Sequence, residues 1–258
     1  MPAGSPPHTM WHDPGPLLRP FGERGRRLGE RFPILFCRKR HVLLKLVYAN
    51  LNLAWLSAHF PHAQQLYVLR HPCGQFESWR RLGWEPMPER MLLRNERLMA
   101  DHLHRFEDVL RRAAGYWERA GALWAATTYV VHRQTEAGGG PLVVAYEWLC
   151  ADPMTRFQEL YAQLGLAWNH HVERFLKSSD RSGDTQPYSL NRPSEMQIDK
   201  WKQRLTRGEI DACRQFVEPF ELPYYPGFEP RITSLRGDRP ERRSTSREVA
   251  APAGARYR

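Results

Sequence analysis

Three short, almost unbroken apolar runs constrain the fold of this chain more than any other feature. They are HVLLKLVY at 41–48, QLYVLR at 65–70 and LVVAY at 142–146. Each has the length of a strand and little polar alternation, the pattern of a strand covered on both faces. A segment of helical character follows each. Asn50 opens an amphipathic stretch to about Phe60, with Leu53, Leu56 and Phe60 on one side. Pro72 suits the first turn of a helix to about Leu82, where its missing N–H has no partner to lose. Asp152 and Pro153 are placed to cap and begin a helix to about Leu164. Two long helical stretches, 89–114 and 116–135, separate the second run from the third, and further helices are predicted at 169–177, 194–203 and 207–217. Strands alternating with helices predict an α/β domain with a parallel sheet covered on both faces.

Composition narrows the class. The chain has 258 residues, 41% hydrophobic and 26% charged, which excludes wholesale disorder and a multi-span membrane protein. The apolar stretch 42–60 is interrupted by Lys45, Asn50, Asn52 and His59, so it is no membrane span. Cys37, Cys73, Cys150 and Cys213 contain no CxxC, which argues against a disulfide framework or a structural zinc and for a reducing compartment. Residues 1–16 are rich in Pro, Gly and His without the apolar core of a leader, so a cytoplasmic protein is expected.

The net charge is +10, with 33 Arg against 5 Lys. Codon usage or a taste for anionic partners would both produce this. Residues 236–258 hold seven Arg against three acids, and 1–31 hold five against three. The expected organisation is an irregular lead-in at 1–31, a domain at 32–230, and a disordered Arg-rich tail at 231–258. With so much of the charge in the ends, nucleic acid is not the expected partner. A basic nucleic-acid-associated protein acting through its tails remains the alternative from another class.

The segment Tyr67-Val-Leu-Arg70-His-Pro72, followed by Ser78, carries the most chemistry. A strand ends at an arginine and a helix starts at once. In open α/β sheets ligands bind at the carboxyl ends of the strands, and a helix N-terminus there presents free N–H groups to a phosphate. Arg70 either clamps such an anion or pairs with a carboxylate inside the fold. Lys45 lies within an apolar run, where its charge either faces an anion or snorkels at the sheet edge. His102 and His104 are two apart, on different faces of a regular helix, so no metal site is expected.

Arg70, Pro72 and Ser78 resemble the 3′-phosphate-binding motif of sulfotransferases that use 3′-phosphoadenosine 5′-phosphosulfate (PAPS). Val144-Ala-Tyr146-Glu147-Trp-Leu149, with Asp152-Pro153 after it, is similar to that family's Tyr-Glu-x-Leu…Asp-Pro block. Lys200-Trp201-Lys202…Leu205-Thr206…Glu209-Ile210 is similar to a segment near its C-terminus. The order of the three blocks resembles a bacterial-type member over about Val42 to Phe220. The resemblance implies a three-layer, P-loop-kinase-like α/β fold with a helical insertion lining the acceptor side. It implies transfer of a sulfuryl group from PAPS to a hydroxyl or amine of a small-molecule, glycan or peptide acceptor, with no metal.

Carried over, Arg70 and Ser78 would hold the 3′-phosphate, Tyr146 would sit near the adenine or its phosphate, and Lys200, or Arg192 nearby, would close over the nucleotide. Lys45 would stabilise charge on the leaving phosphate. Without the resemblance, Tyr146 closes a strand, Lys200 lies on a solvated helix face and Trp201 packs in a core. The chain departs from the family at its start. Neither Gly4-Ser5 nor the stretch 22–29 follows an apolar strand, so the 5′-phosphosulfate loop is expected to be missing, by truncation or divergence. A non-catalytic sulfotransferase-like nucleotide- or anion-binding protein is the alternative that this raises.

Overall fold

The second and third apolar runs become strands and pair with each other. In the computed structural model, which describes residues 42–47, 49–136, 140–180 and 193–230, β1 (Leu66–Leu69) and β2 (Leu142–Ala145) run parallel. Their register joins Leu66 to Leu142 and Leu69 to Ala145. The chain divides into two compact units, Met1–Leu46 and Val47–Arg258, and both strands lie in the second. The lead-in 1–31, the tail 231–258, the two glycine-bearing segments near the start and Arg192 lie outside the described residues.

The first apolar run is corrected. Among the described residues, 42–47 form no strand, and Leu43 and Leu44 are 94% and 75% exposed. An apolar sequence favours burial, but a strand also needs a neighbour for its backbone groups. Among the described residues the strand pairing is that of β1 with β2. The described part is thus mostly helical around a small parallel sheet, compatible with an α/β arrangement.

The helices follow their local signals closely. After a 3₁₀ turn at Asn50–Asn52, α1 spans Leu53–His59. Helix α2 (Pro72–Arg81) begins on Pro72, directly after β1. The crossover continues through α3 (Tyr116–Glu136) to β2. Then come α4 (Tyr146–Ala151), α5 (Pro153–Gln163), α6 (His170–Ser179) and α7 (Arg207–Val217). Asp152 caps α5 through the Thr155 amide, and Thr206 and Glu209 form a reciprocal capping box on α7. Gly165, at φ 62°, ends the α5 turn in the left-handed region that glycine enters freely. The stretch 89–112 is not one helix but a series of short π, α and 3₁₀ turns.

The core lies where α3 crosses α2 and α7. Leu69 and Phe76 are 1% exposed, and burying such side chains is worth about 1.5–3 kcal/mol each. Ala120, Ala122, Ala125 and Ala126 are fully buried along α3 and let its neighbours approach. At the closest point a Cβ on Gly121 would overlap the Cys213 carbonyl oxygen of α7, so only glycine fits. No helix among the described residues is long and apolar enough to cross a membrane.

Candidate functional site

The register of the strand pair builds the site. Leu69 and Ala145 are partners, so Arg70 and Tyr146 leave the sheet side by side at the carboxyl end. Tyr146 opens α4 where the sequence predicts the close of a strand. The Arg70 guanidinium carbon lies 4.7 Å from the centroid of the Tyr146 ring, a cation–π contact. Burial pushes the Tyr146 hydroxyl well above the usual tyrosine range, so it stays protonated.

Arg70 Nε is buried and has no hydrogen-bond partner. Among the described residues no carboxylate forms an ion pair with this arginine. Buried polar groups in folded proteins are almost always satisfied, so this atom has bonding capacity left unused by the described residues. Gly74, on the first turn of α2, makes room for it. A Cβ there would stand 3.2 Å from Arg70 Nε and 3.2 Å from Trp201 Cδ1.

The backbone behind Arg70 is pinned from several sides. Trp124 Nε1 donates to the Arg70 carbonyl at 2.9 Å. The His71 amide donates to Glu147 Oε1 at 2.9 Å, and the Tyr225 hydroxyl donates to Glu147 Oε2 at 2.7 Å. Burial raises the Glu147 carboxyl above the usual carboxylate range. The His71 ring is fully buried, donates from Nε2 to the Phe228 carbonyl at 3.1 Å, and stacks on Trp201 at 4.5 Å and 4°. Burial lowers its pKa to about 3, so the ring is neutral at physiological pH.

A pocket of about 400 Å³ opens in front of this turn. Arg70, Ser78, Tyr146 and Lys200 all line it, so four of the five residues singled out from the sequence meet in one place. Spacing on α2 explains Ser78, which lies four residues from Gly74 and shares its face. Lys200 begins the 3₁₀ turn Lys200–Gln203, with buried Trp201 beside it as another wall. Trp201 is therefore both core and pocket lining. Phe157, Phe175 and Leu176 give the pocket an apolar side. The fifth residue, Lys45, lies exposed in the first unit, in the run that forms no strand.

Sequence reasoning missed Gly74, Glu77 and Arg204. Glu77 and Arg204 line the pocket as an ion pair, Arg204 Nη1 to Glu77 Oε1 at 2.6 Å, with Arg81 Nε 4.0 Å away. Gly74 had a readable signal: an interior helical glycine costs about 1 kcal/mol against alanine, so a packing reason is owed. Glu77 and Arg204 had none, being 127 residues apart. Among the described residues no group of His, Cys, Asp and Glu is arranged to hold a metal ion.

Comparison with known proteins identifies the family. The profile of a sulfotransferase family matches residues 21–170, a stretch that holds Lys45, Arg70, Ser78 and Tyr146. Human carbohydrate sulfotransferase 1 is 31% identical over 86 residues, covering 31% of this chain and 21% of that protein. The mouse carbohydrate sulfotransferase 1 is 30% identical over 86 residues with the same coverage. The matched part of the chain thus spans about a fifth of the length of these curated relatives. No solved structure matches the chain significantly.

Proposed function

This chain belongs to the sulfotransferase family, and from that premise we propose that it transfers a sulfuryl group from PAPS to an acceptor hydroxyl or amine. One observation carries the reading: the unpartnered buried Nε of Arg70 stands in the same pocket as Ser78, Tyr146 and Lys200. The residues fit a donor with a 3′-phosphate. Arg70 offers its guanidinium fork to the phosphate oxygens, and Ser78 offers a hydroxyl. Tyr146 lies against the guanidinium through its ring, and Gly74 spares it the crowding that a Cβ would bring. Lys200 adds positive charge, and the apolar side formed by Phe157 and Phe175 suits a base.

When bound, the donor supplies a sulfuryl group on a good phosphate leaving group. The protein's own contribution is orientation and charge neutralisation. The buried network behind Arg70 fixes the backbone from which that guanidinium reaches. Lys45 is our candidate for stabilising charge on the leaving phosphate. In that role Lys45→Ala lowers kcat while nucleotide affinity stays unchanged.

A carbohydrate hydroxyl is the acceptor class we favour, supported by the names of the human and mouse relatives. Calorimetric titration with 3′-phosphoadenosine 5′-phosphate, against 5′-AMP, tests the donor site. The expected result is preference for the 3′-phosphate, lost in Arg70→Ala. Equal affinity for the two nucleotides would sink the reading. Radiolabelled sulfate transfer from PAPS to a panel of glycans then tests the acceptor. Nucleotide binding without transfer to any acceptor would favour the non-catalytic binder.

A further inference from the structure

A carboxylate is out of place in a pocket that binds an anion, yet Glu77 lines this one. Its side chain is 8% exposed and sits beside Ser78 on α2. A charge so desolvated needs a partner, and Arg204 supplies it at 2.6 Å. Arg204 comes from the far wall. It directly follows the Lys200–Gln203 turn, which carries Lys200 and Trp201. That wall has two other anchors. Trp201 lies flat on the buried His71 ring, and Lys202 pairs with Glu229 at 2.5 Å. Trp201 also packs against Gly74 of α2, and the Glu77–Arg204 pair adds an ionic tie between the wall and that helix. The wall also presents Trp201 Nε1, buried and without a partner.

We propose that Glu77 is a positioning residue. Its carboxylate latches Arg204, and through it the 200–204 wall, against α2, so that Lys200 and Trp201 face the donor alongside Arg70 and Ser78. The latch rests on the donor reading above only for its effect on nucleotide; the pairing itself is a property of the ligand-free protein.

The sign of one substitution separates this role from simple electrostatics. Glu77→Gln removes a negative charge from an anion site. If Glu77 were only a charge in the pocket, 3′-phosphoadenosine 5′-phosphate would bind more tightly. With the latch, the same variant binds it about tenfold more weakly, because the wall is no longer held. Arg204→Gln falls further, since it leaves the buried Glu77 carboxylate with only the longer Arg81 contact, at 4.0 Å, beside the phosphate. The double variant Glu77→Gln/Arg204→Gln binds better than Arg204→Gln alone, and Glu77→Asp restores part of the loss.

Hydrogen exchange on the nucleotide-free chain gives an independent readout. The Arg204 and Leu205 amides donate to the Trp201 carbonyl at 3.0 and 2.9 Å. They exchange faster in Glu77→Gln if the latch holds this turn, while protection in α3 and α7 stays unchanged and certifies the fold. Unchanged exchange at 204–205 overturns the latch. Faster exchange with equal or tighter nucleotide binding overturns its role in the site. If wild-type protein binds no 3′-phosphoadenosine 5′-phosphate, the donor reading fails, and the exchange data still decide the latch.

Discussion

The two ends of the β1–β2 pair carry two unlike pockets. The one at the carboxyl ends measures about 400 Å³. The other measures about 890 Å³ and borders Gly140 just before β2, α1, and the side chains of His102, His104, Arg105 and Arg133. The larger also holds two arginines, and both are already engaged. Arg133 pairs with Glu136 at 2.8 Å, Arg105 lies over the Phe106 and Tyr129 rings, and Gln134 accepts the Ala54 amide. None of its lining residues has a buried orphan atom, whereas the smaller pocket has two, on Arg70 and Trp201. Size and charge count are therefore poor guides here. The informative quantity is desolvated bonding capacity left unused.

The comparison breaks most sharply at Arg70. Removing a desolvated, charge-assisted fork is expected to weaken binding of 3′-phosphoadenosine 5′-phosphate about 100-fold. Calorimetry on Arg70→Ala measures this, and a loss of less than about threefold would erase the distinction between the ends. Gly74→Ala comes next, at about tenfold weaker binding, because the added methyl presses on Arg70 Nε and Trp201. Ser78→Ala follows at about fivefold, the worth of one hydrogen bond to a phosphate. Arg133→Ala, in the larger pocket, should change nucleotide affinity by less than about twofold, as for an exposed ion pair.

A pH experiment reaches the network behind the smaller pocket. The His71 ring has a folded-state pKa of about 3, below that of the unfolded chain. The unfolded state therefore binds more protons between about pH 3 and 6.5, and this contribution to stability is lost as the pH falls through that window. Urea unfolding at pH 7 and pH 5 should show the loss. Glu147, shifted upward, acts in the opposite sense. The difference in slope between wild type and His71→Gln isolates the imidazole, and identical slopes would remove it from the account.

Much of this was legible in the sequence where one local signal sufficed. The run at 65–70 becomes β1 and Pro72 starts α2; the run at 142–146 becomes β2 up to Ala145. The run at 41–48 carries the same signal and forms no strand among the described residues, because apolar character does not specify a pairing partner. The helical stretch 89–114 misled in another way. Regular 3.6-residue spacing separates His102 from His104, but π and 3₁₀ turns there bring Asp101, His102 and His104 to one pocket. Arg70, Ser78, Tyr146 and Lys200 could be named as candidates, yet their meeting depends on the β1–β2 register and the Lys200–Gln203 turn, which bring together motifs more than fifty residues apart in the chain.

The pairing of Leu69 with Ala145 bears on how such a site could be moved to another protein. Arg70 and Tyr146 are neighbours only because two strands distant in sequence end level with each other. A slip of one residue would set Tyr146 beside Leu69 and turn the side chains of β2 to the opposite face. A graft of the Arg70–Ser78 segment alone would carry the Arg70 guanidinium without the Tyr146 ring that lies against it. The transferable unit is two strand ends held level, with a helix starting at each.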